Sequence, residues 1–211
     1  MNKLILIPII LGVAAAISLS LSFIPEDSNP KNVNNIGFTF YDVDKIKTKL
    51  ATQNIVMSAP TAITDHTKDQ YCTFFDSNDV QKFVKYCTTT VIINSEGKSI
   101  GNINMGGTID GGPIMAVALV ESSPFFDSSE VEVDAVFEAM IETLVCECWE
   151  EKKPGNFESV KDWIDAAEEH FAESDQSASL KSEISGLAQK EIILEVSATE
   201  KHYLWTLIIL K

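Results

Sequence analysis

The amino-acid sequence predicts an α+β fold, in which an antiparallel sheet of about five strands carries three or more helices on one face, preceded by an N-terminal transmembrane helix. Two hairpin patterns flank a helical region, strands do not alternate with helices, and a long apolar segment begins the chain. Strands and helices grouped in this way are typical of α+β domains, whereas a parallel sheet needs strand–helix alternation. Hydrophobic residues make up 45% of the chain, which is enough for a packed core.

The N-terminal segment, residues 1–25, is predicted to be a membrane anchor. Leu4–Ile24 is apolar apart from three serines, and about 20 such residues span a bilayer as a helix. Lys3 precedes the apolar stretch and two acidic residues follow it, which predicts that the chain after the anchor lies outside the cytoplasm. A cleaved signal peptide is the alternative, and it would make the protein secreted. In both cases the bulk of the chain is expected to be extracytoplasmic.

After the anchor, residues 26–36 are predicted to be a linker, because they are rich in Asn and contain Pro30. The extracytoplasmic α+β domain is assigned to residues 37–211. Its first half is predicted to contain two short helices, a short strand, a hairpin, a glycine-rich connection and an apolar strand. The helices are Asp42–Thr52 and Asp76–Tyr86, and the short strand is Ile55–Met57. The hairpin joins Thr88–Asn94 to Ser99–Met105, the glycine-rich connection is Gly106–Pro113, and the apolar strand is Ile114–Val120.

The hairpin Val91–Ile100 resembles hairpins of extracytoplasmic sensory domains of the PAS-like kind. The resemblance covers about ten residues. It implies a small-ligand-binding domain, with a pocket between the sheet and the helices.

The second half is predicted to hold an acidic helical pair over residues 129–174 and a closing hairpin. Ser129 and Glu132 form a capping-box pattern, after which apolar residues at helical spacing continue to about Glu150. Asn156 is expected to cap the next helix. Leu180–Ala188 is predicted to be a third, shorter helix, and strands at 192–197 and 203–210 end the chain, the last one central in the sheet.

The four cysteines predict disulfide chemistry, since an even number of cysteines is typical of exported domains. Cys72 and Cys87 bracket a short loop, and closing it would stabilise the fold by about 3 kcal/mol in the chain-entropy model. Cys146 and Cys148 lie on a predicted helix, where residues two apart point to nearly opposite sides. A bridge between them therefore requires that the helix has already ended. Zinc binding is disfavoured, because the three histidines are scattered along the chain.

Charge is the most informative feature of the sequence. The net charge is −15, all 16 basic residues are Lys, and residues 121–175 hold 17 acidic against 3 basic side chains. An acidic protein repels phosphate backbones, so nucleic acid is not an expected partner. Without Arg, the chain lacks the planar fork that binds carboxylates and phosphates in a bidentate manner.

Two rows of carboxylates at helical spacing are predicted to form an acidic docking face. Like charges four residues apart repel each other on a helix, so the rows lower the stability of the helices. Solubility or binding would account for their presence. The plain interpretation is a solvated helix face; the functional one is a surface for a basic protein partner or for divalent cations. The predicted face comprises Glu130, Asp134, Glu138, Glu142, Glu158, Asp162, Asp165, Glu169 and Glu173.

Known catalytic motifs are missing from the sequence, including G-x-S-x-G, H-E-x-x-H and phosphate-binding loops. We therefore predict no catalytic, cofactor-binding or metal-ligating residues. The leading hypothesis is a membrane-tethered extracytoplasmic interaction or accessory protein that is not an enzyme. The alternative is the small-ligand-binding domain that the PAS-like hairpin implies.

Overall fold

The structure, a computed structural model, describes residues 37–64, 72, 84–108, 112–123, 130–174, 179–198 and 202–211. The predicted anchor and linker lie outside these ranges. So do all but the last three residues of the helix predicted at Asp76–Tyr86, and the serine of the Ser129–Glu132 capping box. Among the residues described, no helix is both long enough and apolar enough to cross a membrane.

The predicted mixed α+β class with a large antiparallel sheet is confirmed, but the sheet has eight strands rather than about five. Seven strands follow the order β1-β3-β4-β5-β8-β7-β6, and β2 also pairs with β3. Every pairing is antiparallel. The strands are β1 (Val56–Met57), β2 (Thr61–Thr64), β3 (Tyr86–Ile93), β4 (Ser99–Thr108), β5 (Gly112–Ser122), β6 (Leu180–Leu187), β7 (Lys190–Ala198) and β8 (Tyr203–Leu210).

In the described chain, one helix precedes β1 and the other helical segments lie between β5 and β6. They are α1 (Asp42–Ala51), α2 (Glu130–Leu144), the single turn α3 (Trp149–Lys152), a 3₁₀ turn at Pro154–Asn156, and α4 (Val160–Glu173). The last strand, β8, lies between β5 and β7. Its central position agrees with its almost wholly apolar sequence.

The third helix predicted at Leu180–Ala188 is wrong, because this segment forms strand β6 and pairs with β7. Ile184 and Leu187 are both buried, and their spacing of three mimics a helix face. The spacing has a different origin: the pairing register shifts between Ser185 and Leu187, where Gly186 has a φ of 85°. This bulge returns Leu187 to the side of the sheet that Ile184 occupies.

The glycine-rich connection predicted at Gly106–Pro113 is also mostly strand. β4 continues to Thr108 and β5 begins at Gly112, with a register shift between Gly106 and Gly107. A Cβ atom on Gly107 would collide with the carbonyl oxygen of Gly112 on the neighbouring strand. The glycine is therefore required by the close approach of two strands rather than by a loop.

The helical region differs from the prediction at two boundaries. The helix expected to reach about Glu150 ends at Leu144, and the chain turns before α3. Asn156 does not cap the following helix; it lies in the 3₁₀ turn with a φ of 67°. The cap of α4 is Ser159, whose hydroxyl accepts from the backbone N–H of Asp162 while the Asp162 carboxylate accepts from the backbone N–H of Ser159.

The core lies on both faces of the sheet, in two clusters. The larger cluster joins the helices to one face, which we call the helical face, and includes the fully buried Phe137, Trp163, Phe171 and Trp205. The smaller cluster lies on the opposite face, which we call the second face, and consists of Cys72, Val84, Cys87, Met115, Val117, Ile193 and Leu210.

Candidate functional site

The acidic residues of the candidate site lie on a layer of helices in which α2 contacts both α1 and α4. One lysine from each neighbouring helix reaches the acidic row of α2. Lys49 of α1 places its Nζ 2.6 Å from Oε2 of Glu142, and Lys161 of α4 places its Nζ 3.3 Å from Oδ2 of Asp134. These pairs join the helices at two points, and hydrogen bonding to Glu142 raises the pKa of Lys49.

Glu138 lies on α2 between the two paired carboxylates, one turn from each. It is exposed, and no ion pair to it occurs within the described part of the chain. Partial burial, followed by the negative charges of Glu142 and Asp134, raises the pKa of Glu138 above its ordinary value, and Lys49 offsets this only in part. The α2 row therefore has a repelled carboxylate at its centre.

The acidic residues of α4 and its approach have mixed roles. Glu158 pairs with Lys153, and Asp165 pairs with Lys161. Asp162 belongs to the capping box. Glu169 and Glu173 are exposed near the end of the helix, with no cationic partner in the part of the chain that the structure describes. The helix dipole makes this position unfavourable for them, because it stabilises negative charge at the start of a helix and not at its end.

The predicted docking face is thus divided by internal contacts. Glu130 begins α2 and is described only as backbone. Of the other residues of the predicted docking face, four form ion pairs and one belongs to the capping box of α4. Three carry charge that the described residues do not neutralise. The three are Glu138, Glu169 and Glu173.

Two clefts open beside Glu138, one on each side. The first has a volume of about 300 Å³ and is lined by residues of α1 and α2, including Thr48, Lys49 and Gln53. The second has a volume of about 240 Å³. Four carboxylates line it, together with Cys146, Trp149, Ser159 and Val160; the carboxylates are Glu138, Glu142, Glu147 and Glu150. Glu138 and Glu142 border both clefts.

Two disulfides are present, which confirms the predicted disulfide chemistry. Cys72 and Cys87 are joined with a Cα–Cα distance of 6.0 Å, and both are fully buried in the cluster on the second face. The bridge fixes residue 72 to strand β3, and both cysteines pack with Val84 in that cluster.

Cys146 and Cys148 form the second disulfide, with a Cα–Cα distance of 5.1 Å. The condition set by the sequence is met, because α2 ends at Leu144 and the two cysteines lie in the turn before α3. Sequence reasoning missed this bridge because the apolar spacing extended the helix through it. The signal that points to it is the Cys-x-Cys pair itself, which ends four residues before a Lys-Lys-Pro-Gly breaker.

Other candidate chemistry is sparse in the described part of the chain. There, no three His, Cys, Asp or Glu side chains converge as a metal site requires. His66 lies outside the described residues, His170 is exposed on α4, and His202 lies with its Nε2 3.8 Å from a Glu121 oxygen. All three tryptophans are buried in the core.

Comparison of the chain with protein-family models, with curated proteins and with solved structures returned no match.

Proposed function

We propose that this protein is a membrane-tethered, extracytoplasmic accessory protein that docks a basic protein partner on the outer surface of its helices. The observation that carries the proposal is the repelled carboxylate at the centre of the α2 row. Glu138 has no ion pair within the described residues, and burial and like charges raise its pKa.

A cationic side chain from a partner would remove this unfavourable charge interaction. It would enter one of the two clefts beside Glu138, where Glu142 supplies a second carboxylate. Arginine suits this position, because its planar guanidinium binds carboxylates through paired hydrogen bonds. The chain has no Arg of its own, so such a fork has to come from another molecule.

The two clefts beside Glu138 and the carboxylates of α4 together form an extended negative surface, which suits an extended partner. Asp165, Glu169 and Glu173 extend the negative charge along α4, which packs against α2. Electrostatic complementarity over such a surface increases the association rate and favours basic partners over acidic ones. Divalent cations are the alternative counter-charge, but they need three or more converging ligands, which the described residues do not offer.

The extracytoplasmic location is supported by the cysteine chemistry. All four cysteines are in disulfides, and disulfides persist in oxidising compartments and are rare in the cytosol. The apolar segment of residues 1–25 would supply the anchor. A tethered domain with an acidic outer surface is suited to holding a second protein near the membrane.

The test compares three forms of the tagged full-length chain, each solubilised gently from its native membranes. One is unaltered. The second carries Glu138→Gln, Glu142→Gln, Asp165→Asn and Glu169→Gln. The third is a control with the same charge change at Glu96, Glu183, Glu191 and Glu195, which lie in a turn and on the sheet. Co-purifying proteins are identified and quantified at low and at high salt.

At low salt, we expect a stoichiometric basic partner to co-purify with the unaltered chain and with the control. We expect this partner to be lost at high salt, and to be lost from the variant that alters Glu138, Glu142, Asp165 and Glu169. Equal partner recovery with both variants would contradict the role of the acidic surface. Recovery of every form alone would contradict docking altogether. The small-ligand-binding alternative would then be tested by a search for ligands that raise the melting temperature; the clefts beside Glu138 do not lie between the sheet and the helices, so they give it no support.

A further inference from the structure

The two disulfides of this protein are placed in opposite environments. Cys72 and Cys87 have no exposed surface, whereas Cys146 and Cys148 are both partly exposed in the turn between α2 and α3. A bridge that spans one intervening residue constrains the unfolded chain much less than one that closes a longer loop. Stabilisation therefore explains the Cys72–Cys87 bridge better than it explains the Cys146–Cys148 bridge.

Each cysteine of this partly exposed pair borders a different cleft. Cys146 lines the 240 Å³ cleft, whose carboxylates come from α2, from Glu147 and from Glu150. Cys148 lines a cleft of about 520 Å³, together with Lys152, Pro154 and the turn that joins β6 to β7. No carboxylate lines this second cleft. The bridge therefore borders an acidic cleft on one side and, on the other, a cleft whose lysine, Lys152, is paired with Glu151.

We propose that the Cys146–Cys148 disulfide is a thiol–disulfide exchange site that oxidises a dithiol, and that the attacking thiolate approaches Cys148 through the 520 Å³ cleft. Thiol–disulfide exchange begins with a thiolate, which is an anion. Lys49 pairs with Glu142 and Glu147, but the four carboxylates outnumber it, so the cleft at Cys146 keeps an excess of negative charge that repels an anion; no carboxylate lines the cleft at Cys148. Repulsion of the incoming thiolate therefore favours attack at Cys148 over attack at Cys146.

The exchange is balanced as follows. The thiolate of the dithiol forms a bond to Sγ of Cys148, the Cys146–Cys148 bond breaks, and Cys146 leaves as a thiolate that takes a proton from water. The carboxylates around Cys146 favour this neutral form. The second thiol of the dithiol loses its proton to water and attacks its own sulfur in the mixed disulfide, which releases Cys148. Two electrons pass to the cysteine pair, and the dithiol becomes a disulfide.

The first experiment treats the full-length chain in detergent, in its oxidised form, with dithiothreitol at increasing concentration and for increasing times. Acid stops the reaction, free thiols are alkylated, and peptide mass spectrometry assigns them. We expect reduction of Cys146–Cys148 at least about tenfold faster than that of Cys72–Cys87, with near-ultraviolet circular dichroism unchanged. Simultaneous reduction of both bridges, or reduction of Cys146–Cys148 only when the dichroism signal is lost, would overturn the proposal.

The second experiment tests the direction of attack with reduced glutathione, a monothiol. A maleimide added at short times alkylates the cysteine that leaves and so traps the mixed disulfide. We expect the glutathione on Cys148 and the maleimide on Cys146. In the variant Glu147→Gln with Glu150→Gln, the share of glutathione on Cys146 should increase severalfold, and in the control Glu96→Gln it should not change. Glutathione found mainly on Cys146 of the unaltered chain would overturn the assigned direction.

This proposal does not depend on the docking of a basic partner. The four-site charge variant used to test docking retains both cysteines, so its exchange rate can be measured separately. Loss of exchange with docking intact, or the reverse, would show which of the two proposals is wrong.

Discussion

The helical face of the sheet is covered by helices that bury large aromatic side chains, whereas the second face is covered over a smaller area that includes a buried disulfide. Phe137, Trp163 and Phe171 come from α2 and α4, and Trp205 comes from the sheet itself. On the second face the apolar cluster is interrupted by polar residues. Asn104 is fully buried there and donates from its Nδ2 to Oδ1 of Asn102, at 2.7 Å.

The difference shows two ways to close a sheet. On the helical face, the free energy comes from apolar area removed from water, which is the largest favourable contribution to folding. On the second face, the smaller apolar cluster is supplemented by a covalent link, which acts by restricting the unfolded chain. Each mechanism predicts a different response to substitution, and four predictions test the two faces and the surface of the helices.

The largest effect is expected at the neighbouring residues Ile192 and Ile193 of β7, whose side chains lie on opposite faces. Ile192→Ala leaves a cavity under the helices and should lower the free energy of unfolding by about 3–5 kcal/mol. Ile193→Ala should cost about 2–3 kcal/mol, because the smaller cluster can collapse around the missing atoms. Denaturant titration of both variants measures the difference. Equal losses would contradict the comparison of the two faces.

The next effect concerns the disulfide of the second face. Cys72→Ala with Cys87→Ala should lower the free energy of unfolding by about 3 kcal/mol, since the bridge closes a loop with a sequence separation of 15. The matched control, Cys146→Ala with Cys148→Ala, opens a bridge with a separation of 2 and should cost about half as much. Thermal unfolding under non-reducing conditions compares them. A larger loss in the control would mean that the exposed bridge is the structural one.

A smaller effect is expected from a buried hydrogen bond on the helical face. Nε1 of Trp205 donates to Oγ of Ser122 at 2.9 Å, and both residues are buried. Ser122→Ala leaves this N–H without an acceptor and should cost about 1–3 kcal/mol. Ser182→Ala removes the equivalent acceptor of Trp163 in a partly exposed position, where water replaces it, and should cost less than 1 kcal/mol, in round figures about 0.5. Chemical denaturation of the two variants distinguishes these outcomes, and equal costs would contradict the burial argument.

The smallest effect concerns the outer surface of the helices. Burial and like charges raise the pKa of Glu138, so the folded state binds a proton more readily there than the unfolded state does. Stability therefore falls as pH rises from the ordinary glutamate value through the raised value, and it stays lower above that window. Glu138→Gln should stabilise the protein at neutral pH by a few tenths of a kcal/mol, about 0.3–0.5, and the gain should vanish below the window.

Thermal unfolding at several pH values tests this prediction, with Glu96→Gln in the turn between β3 and β4 as the control. Added salt should reduce the gain, because it screens the repulsion between exposed carboxylates. A Glu138→Gln variant that is less stable than the unaltered chain at neutral pH would show that Glu138 has a favourable partner.

Much of the fold follows from local patterns in the sequence. The hairpin of β3 and β4, the apolar strands β5 and β8, and the helical residues from Val133 to Leu144 were all predicted, because period-2 and period-3.6 patterns and turn residues are local signals. The two disulfides agree with the even number of cysteines in a chain predicted to be exported.

The errors occur where a distant contact changes a local pattern. The bulge at Gly186 gives β6 the spacing of a helix, and only its pairing with β7 makes the segment a strand. Gly107 resembles a loop residue until the neighbouring strand is seen to approach it too closely for a side chain. The Cys-x-Cys pair continued a helical stripe in the sequence, although the helix ends at Leu144.

The candidate site shows the same division. The sequence by itself determined where the negative charge lies, because the rows at helical spacing depend only on residue order and helix geometry. Only the tertiary structure decided which carboxylates are neutralised, because Lys49 and Lys161 reach Glu142 and Asp134 from other helices. The physical reason is that an ion pair requires close approach in space, which chain folding determines and sequence separation does not.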